Sequence, residues 1–151
     1  MGWWLDRGSC GITEQLRDHF KIHTFIETGT YRGVNLKFWS YRFDTVIGVD
    51  LHRRYFRETS RKLNGRINAE IVCEDSFKFL EDFAYKYYQD ERQDIILIYL
   101  DAHFYVQGGQ KMKEERWVVL RELQSLVGCK NCVLVIHDFN CGDGLHGLVY
   151  D

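Results

Sequence analysis

Five times along this chain a short apolar run ends in an acid: HTFI in Glu27, TVIGV in Asp50, AEIVCE in Asp75, IILIYL in Asp101 and VLVIH in Asp138. The acids stand 23 to 37 residues apart, room enough for a helix and a return strand. Strand, crossover helix and parallel strand repeated in this way make a doubly wound α/β sheet, in which each strand delivers its last residue to one edge. Carboxylates crowded there repel one another, so the arrangement suits hydroxyls, amines, a cation or a metal among them.

The intervening segments fit this rhythm. Ile12 to Lys21 read as an opening amphipathic helix, with Thr13 as its cap and Ile12, Leu16 and Phe20 on one face. Strands are expected at 23–28, 45–50, 67–75, 94–101 and 132–139, and helices at 33–43, 53–64, 76–88 and 111–127. The run DIILIYLD is apolar without alternation, which places it centrally, covered on both faces. Trp39 and Trp117 fall at core spacing on helices, and Trp3 and Trp4 read as packing residues. With 151 residues, no repeats and no linker-like stretch, a single domain over 1–151 is expected.

A net charge of −2 with interspersed signs argues against a phosphate-driven nucleic-acid binder. The one basic concentration, Arg53, Arg54, Arg57, Arg61, Lys62 and Arg66, reads first as a solvated helix face and otherwise as a site for an anionic substrate or partner. No run approaches the ~18 apolar residues of a membrane span, and MGWWLDRGSC lacks the pattern of a signal peptide, so a cytoplasmic protein is expected. The five cysteines are odd in number and are expected reduced, with Cys73 acting as a small hydrophobe inside a strand.

The first turn reads Glu27-Thr28-Gly29-Thr30-Tyr31-Arg32-Gly33. Glycines bracketing a strand-to-helix passage leave backbone amides and a positive helix end facing a ligand. The dinucleotide pattern GxGxxG would need glycine at Tyr31, so a nicotinamide enzyme is disfavoured. Asp50 ends the second strand where an acid accepts both hydroxyls of a ribose. Asp75 with Ser76 ends the third, where the pair either meets a purine amine or caps the next helix. Asp101 and His103 alternate in an extended segment and so share a side, joined there by His137 and Asp138 from the neighbouring strand end. Gly108 and Gly109 would permit a flap in the loop that follows.

In this ordered set, from Phe25 to Phe139, the chain resembles the class I S-adenosylmethionine-dependent methyltransferases. ETGTYRG stands at their glycine motif, VIGVD supplies the ribose acid, EDS the adenine-side acid, and IYLDAH and VIHDF the fourth and fifth strand ends. The resemblance implies a Rossmann-like, mostly parallel sheet of about five strands with flanking helices, lacking the family's usual C-terminal β-hairpin. It implies S-adenosylmethionine bound by Glu27, Thr28, Gly29, Thr30, Gly33, Asp50, Asp75 and Ser76. The last two strand ends resemble those of metal-dependent sugar and small-molecule O-methyltransferases. By that likeness Asp101, His137 and Asp138 would hold magnesium or manganese, and Asp101 with His103 would be catalytic, His103 as the base. His137 departs from the acid that family carries, as Tyr31 departs from its glycine.

These expectations amount to O-methylation of a small hydroxylated acceptor, with no nucleic-acid or membrane partner. The rivals are another S-adenosylmethionine-consuming activity and a non-catalytic binding or assembly module. Without a hairpin the CVLVIHDF strand would present an apolar edge, to be covered by a second subunit or by the rest of a longer chain. A zinc site of Cys129, Cys132, His137 and Cys141 is opposed by geometry: five strand steps at ~3.3 Å part Cys132 from His137 by roughly 16 Å.

Overall fold

The structure, a computed structural model, describes residues 7–89, 94–102 and 118–137. Five strands, β1 Thr24–Thr28, β2 Thr45–Val49, β3 Ala69–Val72, β4 Ile96–Leu100 and β5 Cys132–Ile136, form one sheet in the order β3-β2-β1-β4-β5. All four pairings are parallel. The helices are α1 Arg7–Phe20, α2 Val34–Trp39, α3 Arg53–Lys62, α4 Ser76–Gln89 and α5 Val118–Ser125. The chain winds outward from β1 through β2 to β3, then returns to β4 on the other side of β1. The crevice where ligands collect in such sheets therefore lies beyond the carboxyl ends of β1 and β4.

Two apolar layers sandwich the sheet. On one face Phe25, Leu36, Trp39, Phe43 and Leu63 gather under α1, α2 and the end of α3, with the Phe25 ring 5.3 Å from Trp39 and 5.1 Å from Phe43. On the other, Ile26, Ile96 and Ile98 meet Leu80 and Ala84 of α4 and Leu126 just past α5. Successive residues of β1 thus serve opposite layers, as the pleat requires. Every residue of β4 is buried, in keeping with its central place.

Several expectations change. Thr13 lies inside α1, fully buried, and does not cap it; of the expected apolar face Leu16 packs inward, joined by Cys10, while Ile12 and Phe20 are exposed. The sequence periodicity was compatible with either face, and the small Thr13 is the side chain that tolerates close approach. β3 ends at Val72, so Cys73 lies past the strand and is exposed rather than part of an apolar layer. The helix expected over 33–43 is helical only from Val34 to Trp39. Its C-terminal residues turn to bring Phe43 under the sheet. His103, Asp138, Cys141, Gly108, Gly109, Trp3, Trp4, Trp117 and the segment where a hairpin would stand all lie outside the described residues. No helix among the described residues is long and apolar enough to cross a membrane.

Candidate functional site at the strand ends

Glu27 sits in β1, paired in register with Gly48 of β2 and Tyr99 of β4, at the centre of the sheet's carboxyl edge. It is 1 % exposed. One oxygen, Oε1, accepts from the Asn35 amide of α2, while Oε2 has no hydrogen-bond partner among the described residues. Burial pushes its pKa from 4.5 to about 8; nearby Asp101 and Asp50 add to the rise, and the Asn35 bond and His137 oppose it. A carboxyl group kept dry in this way is poised to meet a donor or a cation.

The turn after β1 is shaped by three left-handed backbones. Gly29 has φ 70°, Tyr31 φ 49° and Gly33 φ 66°. A Cβ at Gly29 would lie 2.5 Å from the Asp101 carbonyl oxygen and 2.7 Å from Ala102 Cα, so the turn runs directly against the backbone leaving β4. Tyr31 holds a conformation that costs a non-glycine residue roughly 1–2 kcal/mol. Its N–H donates to Asp50 Oδ2 at 2.8 Å, and its ring packs on Tyr55 with centroids 4.4 Å apart. Tyr31 thus holds a left-handed backbone that glycine adopts more readily.

Asp50, just past β2, accepts from Tyr31 N–H on one oxygen and from His52 N–H, also at 2.8 Å, on the other. It is buried, and desolvation raises its pKa although both amides favour the charged form. A carboxylate has about four lone-pair sites, so each oxygen retains capacity for a further donor. Asp75 Oδ1 accepts the Phe77 N–H at 3.2 Å, the geometry of a helix cap for α4, beside the buried Ser76.

Across the crevice, Asp101 Oδ1 lies 2.9 Å from His137 Nδ1, each side chain about a quarter exposed. Backbone links fix the two strand ends: Asp101 N–H donates to Thr28 Oγ1 at 3.2 Å and His137 N–H to the Leu100 carbonyl at 3.0 Å. A cavity of about 80 Å³ is lined by Glu27, Gly29, Thr30, Tyr31, Asn35 and Asp101 among others. Thr30, also buried, has a hydroxyl without a hydrogen-bond partner among the described residues. The structure thus brings Glu27, Gly29, Thr30 and Asp101 to one cavity, with Asp50 bonded to its Tyr31 wall and His137 beside Asp101. Gly33 is turned to α3, where a Cβ would strike Thr59, and Asp75 and Ser76 sit at the start of α4. Asn35 was missed; its one legible signal was a polar side chain in the first turn of the helix after the glycine turn.

Among the described residues no three His, Cys, Asp or Glu side chains converge on a point where a metal could sit. Cys129 and Cys132 are free thiols at the β5 entry, the Cys132 thiol pushed up to about 12 by burial and its neighbour Cys129, while His137 stands at the far end of the strand.

The sequence matches no protein-family model and no curated protein. Its fold is nevertheless shared with solved methyltransferases. A SAM-dependent methyltransferase from Anabaena variabilis superimposes with a TM-score of 0.56 at 18 % identity, covering 89 % of this chain and 52 % of that one. A Streptococcus mutans protein described as a methyltransferase and solved with SAH gives 0.58 at 12 % identity, covering 87 % and 72 %. An rRNA methylase from Streptococcus thermophilus gives 0.53 at 13 %, covering 87 % and 70 %. The chain spans about half the length of the Anabaena protein. The likeness defines the class of fold: a five-stranded, all-parallel, Rossmann-like sheet of the methyltransferase type.

Proposed function

We propose that this chain binds S-adenosylmethionine across the carboxyl ends of β1, β2 and β3 and transfers its methyl group to an oxygen of a small hydroxylated acceptor lodged beyond β4 and β5. The observation that carries the reading is Glu27 Oε2, a fully buried carboxyl oxygen with no hydrogen-bond partner among the described residues, in a side chain that lines the cavity at the strand ends where the winding of the sheet reverses. Such an atom calls for a cationic or donor-rich ligand end, and S-adenosylmethionine carries both an ammonium and a sulfonium. The Thr30 hydroxyl adds a second open polar atom. Asp50 would hold ribose hydroxyls with its remaining lone pairs, and Asp75 and Ser76 would border the adenine. The cavity of about 80 Å³ suits the amino-acid tail, the rest of the ligand lying over the strand ends.

When bound, S-adenosylmethionine supplies a sulfonium-activated methyl group. The chain's own task is to place the acceptor oxygen and take up its proton. Asp101 lies against His137, with Oδ1 2.9 Å from Nδ1, and His103, two residues past Asp101, is the base in this reading. A divalent ion, magnesium or manganese, would draw on Asp101, His137 and Asp138. Among the described residues Cys73, Cys129 and Cys132 are thiols, in keeping with a reducing, cytoplasmic setting.

Calorimetry with S-adenosylmethionine, S-adenosylhomocysteine and NAD tests the cofactor. Saturable heat from both sulfur compounds and none from NAD is expected; silence from both at millimolar concentration overturns the reading. Mass analysis of the released products then separates methyl transfer from cleavage or from binding alone. Manganese titration, with and without cofactor, tests the ion.

A further inference from the structure

The chain as a whole carries −2, yet residues 52–66 hold five arginines and one lysine against the single Glu58, a local charge of +5 that leaves −7 for everything else. Averaging over the chain hides this asymmetry, and the structure shows where it lies. Arg53, Arg57 and Arg61 recur at every fourth residue of α3, all exposed. They advance about 6 Å along the axis at each step. None of the three has a carboxylate within ion-pair distance among the described residues; Glu58 is taken up by Arg32 at 3.9 Å and Lys62 at 3.8 Å.

Two further guanidinia are held beside this stripe by rings. Arg32 lies 5.3 Å from the Tyr31 ring centre and Arg54 5.9 Å from that of Tyr55, the two rings packed on each other. A ring orients a guanidinium without neutralising it, so Arg54 adds to the positive field of the stripe, while Arg32 shares Glu58 with Lys62. Between α3 and the end of β3 a cavity of about 270 Å³ is lined by Arg53, Phe56, Arg57 and Cys73, two of the stripe's arginines forming its wall.

We propose that the exposed face of α3 is a docking surface for single-stranded nucleic acid, whose phosphates track Arg53, Arg57 and Arg61 with one seated at the cavity between α3 and β3. Charge complementarity selects the occupant: evenly spaced, fork-shaped cations without acid partners match a chain of regularly spaced phosphates, which guanidinium groups engage bidentately. Association of this kind is carried by counterion release and reads no sequence. The surface is independent of the methyl-transfer reading, and its test uses no S-adenosylmethionine.

The test is fluorescence anisotropy of a labelled 15-nucleotide oligouridylate and its deoxy counterpart against the whole chain, across a salt series. Three phosphate contacts give a logarithmic salt slope of about −2, a loss of roughly twentyfold between 50 and 200 mM salt. Replacing Arg53, Arg57 and Arg61 together by Gln is expected to remove binding, while Arg57→Gln alone reduces the slope by about 0.7. A circular-dichroism melt confirms that the variants fold; if the triple variant does not, the slope of the unaltered chain and of Arg57→Gln decides. Absence of binding at 100 mM salt, a flat salt response, or unchanged binding in folded variants overturns the proposal. So does capture by phosphatidylserine vesicles with no oligonucleotide binding, which would make the face a membrane-contact surface. Equal binding of the two oligonucleotides fits backbone contact; preference for RNA assigns it the partner.

Discussion

Replacing Glu27 by Gln isolates the energetic role of the buried acid. In the folded chain the Glu27 carboxyl keeps its proton up to about pH 8, against an ordinary value of 4.5, with burial as the main cause. Between those two values the native state binds a proton that the unfolded chain has released. The stability that goes with the neutral carboxyl is therefore fully present below pH 4.5 and is lost as pH rises through 8. The interval from 4.5 to 8, at about 1.4 kcal/mol per unit, sets a ceiling of about 5 kcal/mol on this loss, reduced by whatever relaxation or water entry accompanies ionisation. Glutamine keeps the shape of the neutral acid and cannot ionise. Urea unfolding at pH 5, 7 and 9 should find the two proteins within about 1 kcal/mol at pH 5, with Glu27→Gln the more stable by several kcal/mol at pH 9. Asp50 shifts in the same direction, but it is present in both proteins and largely drops out of the difference. Parallel stability profiles for the two proteins would refute the reasoning. The same argument predicts proton release when a cationic ligand binds near neutral pH, seen as buffer-dependent heats in calorimetry and absent in Glu27→Gln.

Gly29→Ala combines a left-handed φ with contact at 2.5 Å against the Asp101 carbonyl, so a loss of about 2–5 kcal/mol is expected in denaturant melts. Asp50→Ala strands the Tyr31 and His52 amides, a cost of about 2–3 kcal/mol, and should weaken S-adenosylmethionine binding in calorimetry. His103→Ala should spare that binding and abolish turnover in a methyl-transfer assay; equal loss of binding from both changes would contradict the division between cofactor and acceptor sides. Among the described residues β5 lies at one edge of the sheet, with Leu134 exposed. Light scattering should find a dimer in which β5 amides are protected from hydrogen exchange; a monomer with fast-exchanging β5 amides would exclude a covering subunit.

The winding was legible because crossover connections force parallel strands to alternate with helices, and the apolar runs marked each strand. DIILIYLD announced its central position by lacking polar alternation, and β4 is buried throughout. Strand ends were less legible: β3 stops at Val72, and hydrophobicity alone did not distinguish Cys73, past the strand, from a residue within it. Within the site, Glu27 and Asp50 were visible as acids after apolar runs. Their neighbours were not, because the Asn35 bond and the Tyr31 amide depend on how tightly the turn closes. That tightness comes from contacts with Asp101 and Thr59, distant in sequence. The basic face of α3 was legible as composition, but its lack of acid partners is a property of the packed surface.

The contact between Gly29 and the backbone of Asp101 has a mechanical consequence. The turn that would carry the cofactor and the strand end that would carry the chemistry touch main chain to main chain, with no side chain between them to act as a cushion. A rotamer change cannot absorb a displacement there, so movement of either segment is passed to the other. The two halves of the crevice should therefore respond as one stiff body, and adaptation to acceptors of different shape must come from elements outside that contact.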